Sequence, residues 1–322
     1  MTGPLILGTR GSELALTQAR MTQAALAEEG VECRIEVVKT IGDKRPDLSL
    51  SEFSRGEHPV VDKGIFTKEL EEALLNREID FAVHSLKDVP TELADEFEIC
   101  ATLPRADISD VLLTKQGGSV TDLTLLDGRT VATSSVRRAR QLSWLCPGVE
   151  IVDIRGNVPT RIRKLAENDD WDGILLARAG IERLGIYRPG QNSFDLDGAV
   201  IFATELPPRE FLPAAGQGAV AMEIRRDNDA AREALAKINH APTFCRITAE
   251  RAFLARLQAG CQTPVGAHTW FEDDGATLAM AVRVFDEEEP DAEPFVAEVR
   301  GPADAPARLA DRLMTLKDDR KS

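Results

Sequence analysis

The 322-residue sequence predicts an α/β fold over its first two-thirds and a smaller α+β unit after it. Three observations carry this reading. Short apolar runs alternate with helical stretches, as layered α/β folds require. The turns between run and helix hold Gly, Ser and Thr. Past Asp227 the pattern changes to one amphipathic helix followed by strand-like runs. The length exceeds what one compact core usually takes, so two or three domains are expected.

Taken in order, Leu5-Ile6-Leu7 reads as a strand, and Gly8-Thr-Arg-Gly11 turns it into a helix from Ser12 to Glu28. Val31 to Val38 is a second strand. Residues 42–64 are polar, hold Pro46 and Pro59, and read as a long mobile loop. A helix over Phe66–Asn76 leads to a strand at Asp80–Val83. A second unit opens near Asp107, with strands at Val111–Leu113, Thr130–Thr133, Val149–Ile154 and Gly173–Ala177. Its helices run over Val136–Trp144, Pro159–Glu167 and Ala179–Leu184, the second opened by a proline at a tolerant first-turn position. Pro207, Pro208 and Pro213 mark a connecting stretch. In the third unit, a helix over Thr248–Ala259 buries Ala249, Ala252, Phe253 and Leu257 on one face. Strands at Leu278–Val284 and Phe295–Val299 and a helix near Ala307–Lys317 complete it. The domain boundaries expected are 1–104 with 203–225, then 105–202, then 226–322.

Composition excludes several classes. No apolar run exceeds five residues, too short for a membrane-spanning helix, and no secretory signal opens the chain, so a cytoplasmic location is expected. The net charge of −15 argues against a broad nucleic-acid-binding surface. Ten Lys against 29 Arg, with 54 carboxylates, suggests a surface that stays hydrated in concentrated salt. Five scattered cysteines and four histidines show no metal-ligand spacing, so neither a disulfide scaffold nor a metal site is expected.

The charge balance reverses locally. Between Arg129 and Arg188 lie eleven Arg and Lys against seven Asp and Glu. Arg10, Arg137, Arg138 and Arg155 each sit at a strand-to-helix turn. A cation there works against the helix dipole unless an anion is also bound. Together they point to an anion site, although any one of them could pair with a surface carboxylate. Lys87-Asp88 ends the strand Phe81-Ala-Val-His-Ser85 and offers a cation beside a carboxylate suited to proton transfer or cation stabilisation. His84 alone reads as a packed core residue. Gly216-Gln-Gly218-Ala-Val-Ala221 matches a dinucleotide fingerprint in letters only, because strand-like rather than helical residues follow it. Cys261 follows a helix C-terminus, which does not activate a thiol; its position alone leaves it inert or alkylated once and kept so.

Several blocks together resemble the hydroxymethylbilane synthase (porphobilinogen deaminase) family. They are Gly8-Thr-Arg-Gly-Ser-Glu-Leu-Ala15, Val83-His-Ser-Leu-Lys-Asp-Val-Pro90, Ala132-Thr-Ser-Ser-Val-Arg-Arg138, Arg155-Gly-Asn-Val158, Ile174–Gly185, Leu212–Ala219 and Ala249–Gly266. The resemblance implies two lobes like those of periplasmic binding proteins with a cleft between them, plus a smaller α+β domain. It implies a dipyrromethane cofactor joined by a thioether to Cys261, with Asp88 stabilising the cation left when ammonia departs from porphobilinogen and Lys87 beside it. Arg10, Ser12, Lys63, Phe66, Ser85, Lys87, Thr133, Ser134, Ser135, Arg137, Arg138, Arg155, Gly156, Arg161 and Arg183 fall on positions that hold cofactor and substrate. Four porphobilinogen units would be joined head to tail and released by hydrolysis as hydroxymethylbilane, by an enzyme expected to be monomeric. Val60-Val-Asp62 stands where the family has a glycine-rich approach to Lys63-Gly-Ile-Phe66. A two-lobed anion-binding module without catalysis is the alternative; the absent signal segment and the Ala259-Gly-Cys-Gln-Thr-Pro264 block count against it.

Overall fold

A computed structural model describes residues 3–39, 67–117, 123–260, 263–273, 275–289 and 291–320. The expected loop over 42–64, and with it Lys63 and Phe66, lies outside the described residues, as does Cys261.

The first lobe is built on a five-stranded sheet ordered β2-β1-β3-β11-β4. These strands are β1 (Leu5–Thr9), β2 (Cys33–Val37), β3 (Phe81–Ser85), β4 (Phe97–Thr102) and β11 (Val220–Arg225). β1 runs parallel to β2 and β3, whereas β11 is antiparallel to β3 and β4. Helix α1 (Glu13–Glu28) covers one face, burying Ala19 and Leu26 in the core with Leu7, Phe81, Val83 and Met222. Helix α2 (Lys68–Leu75) covers the other, with Leu70 and Leu74 against Ile79, Ala82 and Phe97. This split follows the two-residue period of β3, whose odd and even positions face opposite layers.

The chain crosses once to the second lobe between β4 and β5 (Asp110–Thr114) and returns between β10 (Ala199–Leu206) and β11. The second sheet is ordered β7-β6-β8-β5-β10-β9, with β6 (Thr130–Ala132), β7 (Glu150–Val152), β8 (Gly173–Ala177) and β9 (Ser193–Leu196). β6, β7 and β8 are mutually parallel; β5 runs against β8, β10 runs against β5 and so in the same sense as β8, and β9 runs against β10. Helices α3 (Val136–Leu145), α4 (Val158–Glu167) and α5 (Arg178–Arg183) each follow the carboxyl end of one of these parallel strands.

Helix α6 (Asp229–Ala236) opens the expected third unit, yet its Ala231, Ala234 and Leu235 belong to the core of the first lobe. The remaining domain holds α7 (Ala241–Leu257), the antiparallel sheet β12-β13-β14 (Val265–Phe271, Thr277–Val284, Phe295–Pro302) and α8 (Arg308–Asp319). Two sequence expectations are corrected in α7. It starts seven residues before Thr248, because His240 caps it by accepting from the Thr243 amide at 3.3 Å and a proline occupies its first turn. It ends at Leu257 with Gln258 as the left-handed cap, rather than at Ala259. β12 was not anticipated.

The crossing segments are tied to the third domain. Arg105 places both Nη atoms on the Glu250 carboxylate of α7, at 2.8 and 2.9 Å, and its Nε on the Gln217 carbonyl. Burial raises the Glu250 pKa, but Arg105 and the hydrogen bonds from Gly216 and Thr269 outweigh it and keep the carboxyl ionised. Arg178 joins Asp107 on the outgoing segment to Glu205 on the returning one, at 2.9 and 2.7 Å. Gly218 is required where the two segments meet. Its φ is +82°, and a Cβ would lie 2.6 Å from the Ala106 carbonyl oxygen. Residues after Gly218 form β11, so no helix opens there and the dinucleotide reading fails.

Candidate active site

The parallel strands β1, β3, β6, β7 and β8 all release their chains toward one cleft, and the anticipated residues follow their carboxyl ends. Arg10 and Ser12 follow β1. The Ser12 hydroxyl is the N-cap of α1, accepting from the Ala15 amide at 3.3 Å. Ser85 closes β3 and exchanges hydrogen bonds with Gln18 of α1 at 2.8 and 3.0 Å. Lys87 and Asp88 stand on a single 3-10 turn over Leu86–Asp88. Leu86 and Val89 anchor that turn, 1% and 6% exposed, in a cluster with Ala219, Ala221 and Ile247. Arg10, Ser12, Gln18, His84, Ser85 and Asp88 line one small cavity together with Thr67.

From the second lobe, Thr133, Ser134 and Ser135 connect β6 to α3. Ser135 caps α3 on the Arg138 amide, and Ser134 Oγ donates to the Ile154 carbonyl at 2.8 Å. Arg155 and Gly156 follow β7, with Arg155 Nε 2.7 Å from Asp153. Gly156 takes φ +120°, and a Cβ there would meet Thr160 at 2.7 Å. Arg161 donates from Nε to the Gly156 carbonyl at 2.7 Å, which fixes the turn around the cap residue Asn157.

Electrostatic coupling shows that the two walls face each other. Lys87 is solvent-exposed, yet protein surrounds it closely enough that desolvation pulls its pKa down to about 8. Asp88 partly opposes that shift, while Arg138 and Arg137 of the other lobe add to it. The Lys87 side chain keeps contact with water while the protein around it displaces much of the rest. Burial likewise lowers the Arg161 pKa, with Arg138 and Arg155 adding to the effect and Asp88 opposing it. A guanidinium-rich wall therefore stands opposite one carboxylate.

Arg137 and Arg138 find a protein anion. Asp110 accepts from Arg137 Nη1 at 2.8 Å and from Arg138 Nε and Nη2 at 3.1 and 2.7 Å. Both arginines are 5% exposed and Asp110 is fully buried. Burial raises the Asp110 pKa, but the two guanidiniums outweigh it and hold the carboxyl well below the ordinary range. Two cations against one anion leave the group with a net positive charge. Arg183 reaches the Gly218 carbonyl at 2.7 Å, and burial lowers its pKa to about 10.

Sequence reasoning passed over Gln18, Thr67 and Asp110; the first two carry no charge, and Asp110 reads as a strand residue. A wider concavity, about 640 Å³, lies off this cluster and shares only Arg155 with it. Its lining mixes Asp153, Glu167, Asp169 and Asp170 with Lys164, so it offers no cationic seat. Among the described residues no His, Cys, Asp and Glu group could hold a metal ion, and no helix is long and apolar enough to cross a membrane.

A donor set of Arg10, Lys87, Arg155, Arg161 and the Arg137–Arg138 pair, with the hydroxyls of Ser12, Thr133, Ser134 and Ser135, suits a ligand carrying several carboxylates. Comparison with known proteins agrees. Residues 5–233 match the family model described as porphobilinogen deaminase, dipyromethane cofactor binding domain, and residues 244–315 match its C-terminal domain. The porphobilinogen deaminase of Syntrophobacter fumaroxidans is 42% identical over 285 residues, 88% of this chain and 85% of that protein. That of Thermus thermophilus is 42% identical over 300 residues, 92% and 89% of the two chains. Among solved structures, a VFT2 domain of Bordetella pertussis BvgS is a distant likeness, with 16% identity and a TM-score of 0.42 over 73% of this chain and 85% of that one. An arginine periplasmic binding protein from Legionella pneumophila gives 14% identity and a TM-score of 0.39 over 73% and 91%. With both domain models matched in order and relatives aligned over most of its length, the chain belongs to the porphobilinogen deaminase (hydroxymethylbilane synthase) family.

Proposed function

We propose that this chain joins porphobilinogen units into hydroxymethylbilane in the cleft between its lobes, with Asp88 as the essential carboxylate and Cys261 as the point of cofactor attachment. The observation that carries the reading is the exposed Asp88 carboxylate, coupled to Lys87 beside it and to Arg161 across from it. Porphobilinogen brings two carboxylates and an aminomethyl group. The carboxylates suit Arg10, Arg155, Arg161 and the positive Arg137–Arg138–Asp110 group, while Ser12, Thr133, Ser134 and Ser135 add shorter-range polar contacts. Arg183 would complete the seat at the α5 end of the cleft.

The dipyrromethane group, when bound, supplies the pyrrole carbon at which chain growth begins. The other tasks fall to the protein. Ammonia leaves the substrate's aminomethyl carbon with the bonding electron pair, and a positive charge develops on the pyrrole that remains. A fixed anion is needed there, because the surrounding guanidiniums would otherwise oppose that charge. Asp88 supplies it. Lys87, with a pKa near 8, alternates between charged and neutral forms near neutral pH and suits proton traffic to the departing amine. An overall charge of −15 would repel polycarboxylates, so the local concentration of guanidiniums is what admits them. A cytoplasmic, monomeric enzyme is the form we propose.

Asp88→Asn keeps the shape of the side chain and removes its charge. Turnover should fall by about a thousandfold or more, on the scale of losing one oriented electrostatic stabiliser. Near-normal turnover would remove Asp88 from its role.

A further inference from the structure

Arg251 lies in the middle of α7, ten residues before Cys261. Its guanidinium reaches out of the third domain to the first lobe. Nη2 donates to the carbonyls of Pro90 and Thr91 at 2.8 and 2.9 Å, and Nη1 to that of Val89 at 3.5 Å. These three residues immediately follow Asp88. On the same face of α7, four residues earlier, Ile247 packs with Leu86 and Val89, and Phe244 leans on the cluster. One helix face thus grips both the apolar underside of the Asp88 turn and its outgoing backbone.

The charge arrangement around Arg251 is unusual for a purely structural contact. Burial lowers its pKa, and the Glu223 carboxylate of β11 opposes that shift. Glu223 is fully buried and hydrogen-bonds His84 Nε2 at 2.8 Å, one strand position before the end of β3. A half-buried cation spending its hydrogen bonds on three consecutive neutral carbonyls costs desolvation that an apolar side chain would not. Its planar fork instead fixes how the main chain leaves Asp88, which a lysine with one point of charge does less well.

We infer that Arg251 is a positioning residue for Asp88, holding the turn that bears this carboxylate from the same helix that leads to the cofactor attachment site. The inference rests on the proposed role of Asp88. It makes α7 a strut: its Ile247–Arg251 face fixes the catalytic turn while its far end leads to Cys261.

Arg251→Ala and Arg251→Lys, both prepared as holoenzyme, test this. Intact mass should show the cofactor adduct retained in both. For the alanine variant kcat should fall by about a hundredfold, the cost of roughly 1 Å of misplacement. KM should stay within about threefold, because the carboxylate-binding groups are untouched. Added guanidinium ion should restore part of kcat in Arg251→Ala but not in Asp88→Asn, and the lysine variant should fall between. Hydrogen exchange at the Val89 amide, which donates to the Leu86 carbonyl at 3.1 Å, should quicken. If the alanine variant fails to fold, the lysine variant carries the same kcat and exchange readouts. A kcat within twofold of wild type, or a loss that guanidinium leaves unchanged while Val89 exchange stays slow, overturns the inference. An absent adduct in active wild type would instead strike the functional reading, and Val89 exchange would still report whether Arg251 holds the turn.

Discussion

Asp110→Asn removes one charge from the second lobe while keeping its volume. The carboxylate accepts four hydrogen bonds, from Arg137 Nη1, Arg138 Nε and Nη2, and Gln217 Nε2 at 3.0 Å. An asparagine keeps one acceptor oxygen and turns an amide NH₂ toward guanidinium donors. At least one oxygen's share of these bonds is lost, and two buried cations are left with no counter-charge between them. Breaking a buried pair in this way costs about 3–5 kcal/mol. The Arg137 bond to Oδ2, charge-assisted and worth about 1.5–3 kcal/mol, is lost outright, and the two Arg138 bonds to Oδ1 fall to a neutral acceptor, which gives a similar figure. Urea unfolding should show the free energy lowered by that amount, read as an earlier midpoint at unchanged slope. Asp197→Asn is the control: its pair with Arg163 is half-exposed on both sides and should be worth less than about 1 kcal/mol. The pH dependence adds a second readout. The Asp110 pKa is depressed in the folded protein from an ordinary 3.8. Its stabilisation is therefore complete above that value and drains away as pH falls through it toward the folded pKa. Asp110→Asn should lack this part of the acid limb. A variant within about 1 kcal/mol of wild type at neutral pH, with the same acid limb, would refute the reasoning.

Lys87 should leave its mark on the alkaline side. With a pKa near 8 it is charged below that pH and neutral above it, so kcat/KM should decline as pH rises through 8. Lys87→Arg should move that limb upward, since a guanidinium stays protonated; an unmoved limb would assign it to another group. Asp88→Asn, at an exposed position, should unfold in urea within about 0.5 kcal/mol of wild type, so that its loss of turnover reads as chemistry.

Local pattern made the parallel lobes legible. Gly173–Ala177 reads as a strand from its composition and is one to the residue, and Ser12 announces α1 because a cap needs only its own neighbours. The antiparallel members were harder. β10, β11 and β12 gain their place from partners far away in sequence, and β11 follows a glycine-rich turn that imitates another motif. The site shows the same division. Cations at strand-to-helix turns were visible as a class, but nothing local distinguishes Arg137 and Arg138, bound to a buried aspartate, from Arg155 and Arg161 on the open wall. That distinction depends on Asp110, 27 residues upstream of Arg137. Arg178 becomes interpretable only where Asp107 and Glu205 meet beside it. Arg251 was legible as part of a family block, but its reach across to residues 89–91 is a tertiary fact.

The proposed attachment at Cys261 is tested most directly by the intact mass of freshly purified, active protein, alongside Cys261→Ser. Wild type should be heavier than its bare chain by one two-pyrrole unit, and the serine variant should weigh what its sequence dictates and be inactive. Active wild type at the bare mass, or an adduct that survives the substitution, would contradict the covalent primer at this position.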